Sequence, residues 1–351
     1  MKKLLAMLLA FVMIFGLAAC GNTDEPAGDD GGDATVQPVD LTISIQGSEI
    51  LPMVERWKTW ADMVNEKSGD LMNLTWYYDG TLLDSSSAYQ QLVAGVADIG
   101  DVHTYESDGF TIHQQWKGFT AGIPVEAMAD MGRALVEEFP ALQEELADVK
   151  PLAYAFDGGN YQLLTVNKPV ESVADMEGLV IWCEADFNAF MEELGATPVN
   201  TPWPEVYSSL QKNMYDGMLI AAETLQSVNF AEVCNYVTMI DVCYAARAGH
   251  MMNLDTYNSL PDALKAAIDD PEVTEWIENK NMTDAIETET AGIEWAIENH
   301  GTTIIELDDA KKQEFTDAMN RAKQGIAEDL DAKGLPGTEM LNFMIEYSAN
   351  Y

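Results

Sequence analysis

Basic residues are scarce in this 351-residue chain: 18 Lys and Arg stand against 59 Asp and Glu, a formal net charge of −41. A field this negative repels phosphate backbones and anionic head groups. No basic stripe exists to release counterions or follow a strand, so nucleic-acid binding is excluded. The charge is read as solvation in a salty or crowded exterior. Cysteine is sparse as well, with four residues and no CxxC or His-spaced pair of the kind zinc requires. Catalytic signatures are missing: there is no GxSxG elbow, HExxH, GxxxxGK[ST] or GxGxxG. The four histidines, His103, His113, His250 and His300, lie far apart in sequence. No cofactor or metal is called for by any spacing, and an enzyme is the minority reading. What is present is a 47% hydrophobic composition with ordinary Gly and Pro, enough for about two globular domains.

Met1-Lys2-Lys3 is a short basic start, and the apolar run Leu4 to Gly16 has signal-peptide length, below the ~20 residues of a spanning helix. Leu17-Ala18-Ala19-Cys20-Gly21 closes it and resembles a bacterial lipoprotein lipobox, in which the cysteine thiol receives lipid. Residues 1–19 are therefore expected to be a signal peptide and Cys20 a lipidation site, which places the protein outside the cytoplasm, anchored to the cell membrane. Residues 20–40 carry six acids and almost no large apolar side chain. Such a stretch cannot offset its ordering entropy and reads as an acidic tether. Cys183, Cys234 and Cys243 remain for the fold. At least one of them is unpaired, and a bridge between Cys234 and Cys243 stays open.

Leu41, Ile43 and Ile45 alternate as in a strand, and Met53, Val54, Trp57, Trp60, Ala61 and Val64 recur at helical spacing up to Ser68-Gly69. A strand at Leu74 to Tyr78, a helix from about Ser87 to Gly95 and a short strand at Ala97 to Val102 follow. This β, α, β, α, β order predicts an α/β fold with a mostly parallel sheet. Further strands are expected at Leu152 to Phe156, Tyr161 to Val166 and Gly178 to Cys183, with helices near Phe187 to Leu194 and Glu205 to Lys212. After Gly249 the pattern is helical almost throughout. No repeat of 20 to 50 residues is present.

Tyr89 to Asp101, YQQLVAGVADIGD, resembles the helix-to-strand segment "LqsGtvDi" of the DctP-like extracytoplasmic solute receptors of TRAP transporters. Ala153 to Gly178 resembles that family's strand, "TnkkPi" turn and "pedlkGlkiR" segment. Leu194 to Gly217, LGATPVNTPWPEVYSSLQKNMYDG, resembles "lGanPtpmpfsEvYtaLqtGvvDG", with Glu205, Tyr207, Leu210, Gln211, Asp216 and Gly217 at the family's spacing. The resemblance implies a two-domain periplasmic-binding-protein-like α/β fold with a ligand cleft, hinge strands and long C-terminal helices packed across both domains. Its expected division is 41–159 plus 248–290 for one domain and 160–247 plus 291–351 for the other. It also implies a small-molecule solute captured by cleft closure, delivery to small and large TRAP membrane subunits, and no chemistry on the solute. A receptor for an ABC importer or a sensor kinase, and a surface lipoprotein enzyme, are the alternatives.

Two positions depart from the family pattern. The carboxylate-gripping arginine of "GlkiR" falls on Trp182, and that of "GfRhlT" on Gln162; neither side chain can make the bidentate, charge-assisted pair. A simple dicarboxylate is therefore not expected as the solute. Aromatics cluster around these places in sequence: Trp116, Phe119, Tyr161, Trp182, Trp203 and Tyr207. Residues expected to touch the solute are Gln46, Asp98, Asp101, Tyr161, Gln162, Trp182, Glu184, Trp203, Glu223, Gln226 and His250. That set suits an aromatic, neutral or cationic solute, the last by cation–π contact beside a carboxylate.

Overall fold

Val39 to Ser44 pairs residue for residue with Met72 to Tyr77, so the first strand begins inside the stretch expected to be tether. The structure is a computed structural model that describes residues 37–49, 52–153, 156–246 and 249–350. The expected signal peptide, Cys20 and the tether up to residue 36 lie outside them. A first sheet has the order β2-β1-β3-β10-β4, built from β1 (Val39–Ser44), β2 (Met72–Tyr77), β3 (Ile99–Asp101), β4 (Val149–Pro151) and β10 (His250–Asn253). Its first three strands are parallel, and β10 runs antiparallel between β3 and β4. Helices α1 (Pro52–Ser68), α2 (Ala88–Val93), α3 (Trp116–Thr120), α4 (Met128–Glu138) and α5 (Pro140–Glu145) belong to this part of the chain.

The second sheet has the order β11-β9-β5-β8-β6-β7. Its strands are β5 (Phe156–Thr165), β6 (Val180–Trp182), β7 (Thr197–Val199), β8 (Gly217–Ala221), β9 (Tyr236–Ala246) and β11 (Thr303–Glu306). Between them lie α6 (Asn188–Glu193), α7 (Trp203–Gln211) and α8 (Thr224–Ser227). The chain passes from the first sheet to the second between β4 and β5, and returns between β9 and β10. The long antiparallel partners β5 and β9 therefore both lead to the crossings.

Five helices complete the chain: α9 (Leu254–Ser259), α10 (Asp262–Ile268), α11 (Pro271–His300), α12 (Asp309–Ala332) and α13 (Gly337–Ser348). The ends of α11 are chemically set. Asp270 accepts a hydrogen bond from the Glu272 N–H, Pro271 takes the first turn, and Gly301 closes the helix at φ 69°. At 1.5 Å per residue it is about 45 Å long. One rod thus enters three hydrophobic clusters: Val273 and Ile277 join Trp57 and Trp60 over the first sheet, Met282 joins Phe110 and Phe119, and Ala296 joins the core of the second sheet. It is also fastened along its length. Arg133 of α4 pairs with the buried Glu278, Arg56 of α1 reaches Asp284 at 3.1 Å, and Gln162 of β5 reaches Glu289 at 2.7 Å.

The last helix, α13, packs on α4, with Phe343 edge-on to Phe139 at 5.6 Å. Met340, Leu341 and Met344 share a cluster with Leu83 and Phe110. The cause is the turn between α12 and α13, where a Cβ on Gly337 would lie 2.1 Å from the Ala327 carbonyl oxygen. Only glycine permits that approach. Cys183, Cys234 and Cys243 are buried thiols and none forms a disulfide.

Candidate functional site

In an α/β protein the ligand end of a parallel sheet is the one where strands stop and loops begin. At the carboxyl end of β6, Trp182 is followed two residues on by Glu184. The Glu184 carboxylate accepts a hydrogen bond from the Tyr161 hydroxyl at 3.1 Å and pairs with the ammonium of Lys117. Lys117 also donates to the Tyr161 hydroxyl at 3.2 Å, and its nitrogen stands 5.5 Å and 4.9 Å from the ring centroids of Tyr161 and Tyr244. The two tyrosine rings are 4.0 Å apart, and Phe187 lies 5.3 Å from Tyr161. Burial, then the neighbouring Tyr244 and Glu184, raise the Tyr161 phenol well above its ordinary range. The hydroxyl therefore stays protonated and donating. Residues from α3, β5, β9 and the loop after β6 meet here.

Of the residues expected from sequence, Tyr161 and Glu184 stand in this cluster. Trp203 begins α7, is 44% exposed, and its ring lies 5.5 Å from Trp182 and from Phe230. Glu223 stands at the carboxyl end of β8 before α8, and Gln226 is exposed on α8. Gln46 follows β1; its amide donates to the Leu83 carbonyl at 3.1 Å, over the turn at Gly80. Asp101 ends β3, opposite His250 in the register.

Four expected contacts have other surroundings. Trp182 is 6% exposed within the second-sheet core, and its indole N–H donates to the Thr201 carbonyl at 3.0 Å. His250 is wholly buried, stacked on Trp57 at 3.7 Å; burial and the nearby Arg56 hold its imidazole well below the ordinary value, hence neutral. Asp98 precedes β3 at the opposite end from the loops. Its carboxylate accepts from the Thr42 N–H at 2.7 Å and from the Thr42 and Thr256 hydroxyls at 2.8 and 2.9 Å, tying β1, β3 and α9 together.

Gln162 is the fourth. Adjacent residues of a strand face opposite ways, so with Tyr161 toward Glu184, Gln162 turns to α11. It sits where the β5–β9 register shifts between Tyr161 and Leu163 and Asp241 takes φ 50°. The ladder loses its partners there. The Gln162 carbonyl replaces them, accepting from the Ile240 and Asp241 N–H groups at 2.9 and 3.0 Å, while its amide donates to Asp241 and Glu289 at 2.8 and 2.7 Å. Burial raises the Glu289 carboxyl above its usual range.

Sequence reasoning missed Lys117 and Tyr244. A signal existed for the first: Lys117 is the one Lys or Arg between Lys67 and Arg133, and it lies between Trp116 and Phe119. Among the described residues no group of three or more His, Cys, Asp or Glu is placed to hold a metal ion, and no helix is long and apolar enough to cross a membrane.

Comparison with known proteins agrees with this architecture. A relative in Bacillus subtilis (strain 168), the "C4-dicarboxylate-binding protein DctB", is 26% identical over 338 residues, covering 90% of this chain and 91% of its own length. A TRAP periplasmic solute binding protein from Desulfovibrio salexigens DSM2638 superposes with a TM-score of 0.75 at 24% identity, over 89% of this chain and 96% of its own. A TRAP solute binding protein from Rhodoferax ferrireducens T118, solved with copurified benzoate, gives 0.71 at 23% identity over 89% and 98%. The two structures establish the two-domain binding-protein fold. Residues 43–329 match the DctP family, and with most of the chain inside that match this protein belongs to the bacterial extracellular solute-binding proteins of family 7.

Proposed function

We propose that this protein is the extracytoplasmic receptor of a TRAP-type transporter, which captures a small organic solute between its two sheets and delivers it to the membrane permease subunits without altering it. One observation carries the reading. Lys117, on a helix ahead of the first crossing, meets Tyr161, Glu184 and Tyr244 of the second sheet's strands and loops. A solute seated there touches groups on both sides of the crossings and so favours the closed arrangement over the open one. The relative named for C4-dicarboxylates and the structure with benzoate point to carboxylate-bearing solutes. Here the two family arginine positions are Trp182 and Gln162, both committed to internal hydrogen bonds. Simple dicarboxylates are therefore expected to be poor solutes.

A thermal-shift screen of the compact unit from residue 37 onward tests this, against organic acids, amines, aromatic acids, polyols, nucleosides and amino acids. A millimolar solute with micromolar affinity stabilises by about 4 kcal/mol, an easily seen shift. The expected result is at least one strong hit recovered unchanged after incubation, with succinate and malate silent. Recovery of a chemically converted compound would make the protein an enzyme, and a silent library would end the receptor reading.

Membrane attachment through Cys20 belongs to the same proposal, since a receptor held near its permease meets it at high effective concentration. Cys20→Ser is expected to move the protein from the membrane pellet to the soluble fraction. Retention of the variant in the pellet would mean another anchor.

A further inference from the structure

Resting on the receptor reading, we infer that the solute is a zwitterion with adjacent charges, an α-amino acid, held by the contact pair Lys117–Glu184. The argument starts from unused hydrogen-bonding capacity. An ammonium has three N–H donors, and Lys117 commits two, to Glu184 Oε2 and to the Tyr161 hydroxyl, while tyrosine rings lie beneath it. Glu184 takes both its hydrogen bonds, from Lys117 and Tyr161, on Oε2. Oε1 accepts none. The pair faces outward on its acidic side: the Glu184 side chain is 35% exposed and that of Lys117 13%.

Charge then discriminates among solutes. A lone carboxylate that binds Lys117 sits beside Glu184, on a chain of net charge −41, and must share with Glu184 an ammonium already paired to it. A lone ammonium that binds Glu184 sits beside the Lys117 ammonium. A zwitterion meets both demands: its carboxylate takes the third N–H of Lys117, its ammonium donates to Glu184 Oε1, and the resident pair stays whole. Two opposed dipoles result, each charge next to its opposite. Because Lys117 and Glu184 are in direct contact, the solute's charges must also be close. One carbon between ammonium and carboxylate meets that spacing, whereas an ω-amino acid holds its charges too far apart.

Calorimetry on the compact unit separates the possibilities. The probes are the standard amino acids in both configurations, and for whichever binds, its deaminated acid, its decarboxylated amine and an ω-amino isomer. At least one α-amino acid is expected to bind, each single-charge analogue at least tenfold more weakly. Glu184→Gln keeps the side-chain shape and is expected to lose tenfold or more for the zwitterion while bringing the deaminated acid closer to parity; Lys117→Met is expected to do the reverse for the amine. Circular dichroism checks that both variants fold. Equal affinity for a single-charge analogue, or variants that shift only the thermal midpoint, would make the pair a latch between elements and overturn the inference. Binding of some other solute class with no amino acid would overturn it while leaving the receptor reading intact.

Discussion

Trp182→Ala is expected to lower the stability of the solute-free protein by about 3–5 kcal/mol, as large-to-small changes at buried tryptophans do. The indole is 6% exposed at the end of β6 and shares its core with Ile181 and Met218. Three losses coincide in the variant. Apolar area returns to water, a cavity opens between β6 and its neighbours, and the Thr201 carbonyl loses the donor now 3.0 Å away. Trp203, packed at 5.5 Å, loses its support as well, so solute affinity falls as a secondary effect if Trp203 flanks the solute. Differential scanning calorimetry of the free chain decides the matter. An unchanged midpoint with lost solute response would return Trp182 to the binding surface.

Lys323→Met is expected to do the opposite and stabilise the protein. Lys323 lies on α12 at 5% exposure, and burial lowers its ammonium from 10.5 to about 8, with a small opposing effect from Cys243. At pH 7 the side chain is charged in both folded and unfolded chains, so the folded state carries the whole cost of burying that charge, on the order of 3 kcal/mol. The unfolded chain holds the proton up to about 10.5 and the folded chain releases it above about 8. Between these values the unfolded state binds more protons, and stability rises with pH. Methionine has a similar length and no charge. Its stability is expected to exceed that of the parent by about 1–3 kcal/mol at pH 7, with the gap closing from pH 8 toward 10. Denaturant unfolding at several pH values measures both, and taking the difference between variant and parent cancels the ionisation of the tyrosines. A variant less stable than its parent at pH 7 would show that the ammonium has a compensating role in the core.

Much of the architecture is legible in the sequence because periodicity reports elements buried on one face. The alternation from Leu41 and the helical spacing of Trp57, Trp60 and Val64 correspond to β1 and α1. The segment from Leu194 to Gly217 runs through the end of α6, β7 and α7 to the start of β8. The long strand β9 is not legible. Asp241 in its left-handed conformation breaks the alternation, and its partner β5 lies some eighty residues earlier. Facing is the second limit. All four residues of β10 are buried, so the strand has two covered faces, and the sequence around His250 cannot say that its ring stacks on Trp57. Tyr161 and Gln162 are neighbours whose opposite facing follows from the pleat, but which one points to the loop side depends on the register with β8 and β9. Lys117 escapes because its partners come from three other parts of the chain.

The thirty-residue helix α11 gives the molecule a mechanical property. Its first half is embedded against the first sheet and its last turns against the second, while a Cβ at Gly292 would lie 2.8 Å from the Glu223 Cα, so helix and β8 turn meet backbone to backbone. No proline interrupts it after Pro271. A change of angle between the two sheets would have to bend this unbroken ladder of hydrogen bonds, and α11 is expected to resist it as a leaf spring resists bending.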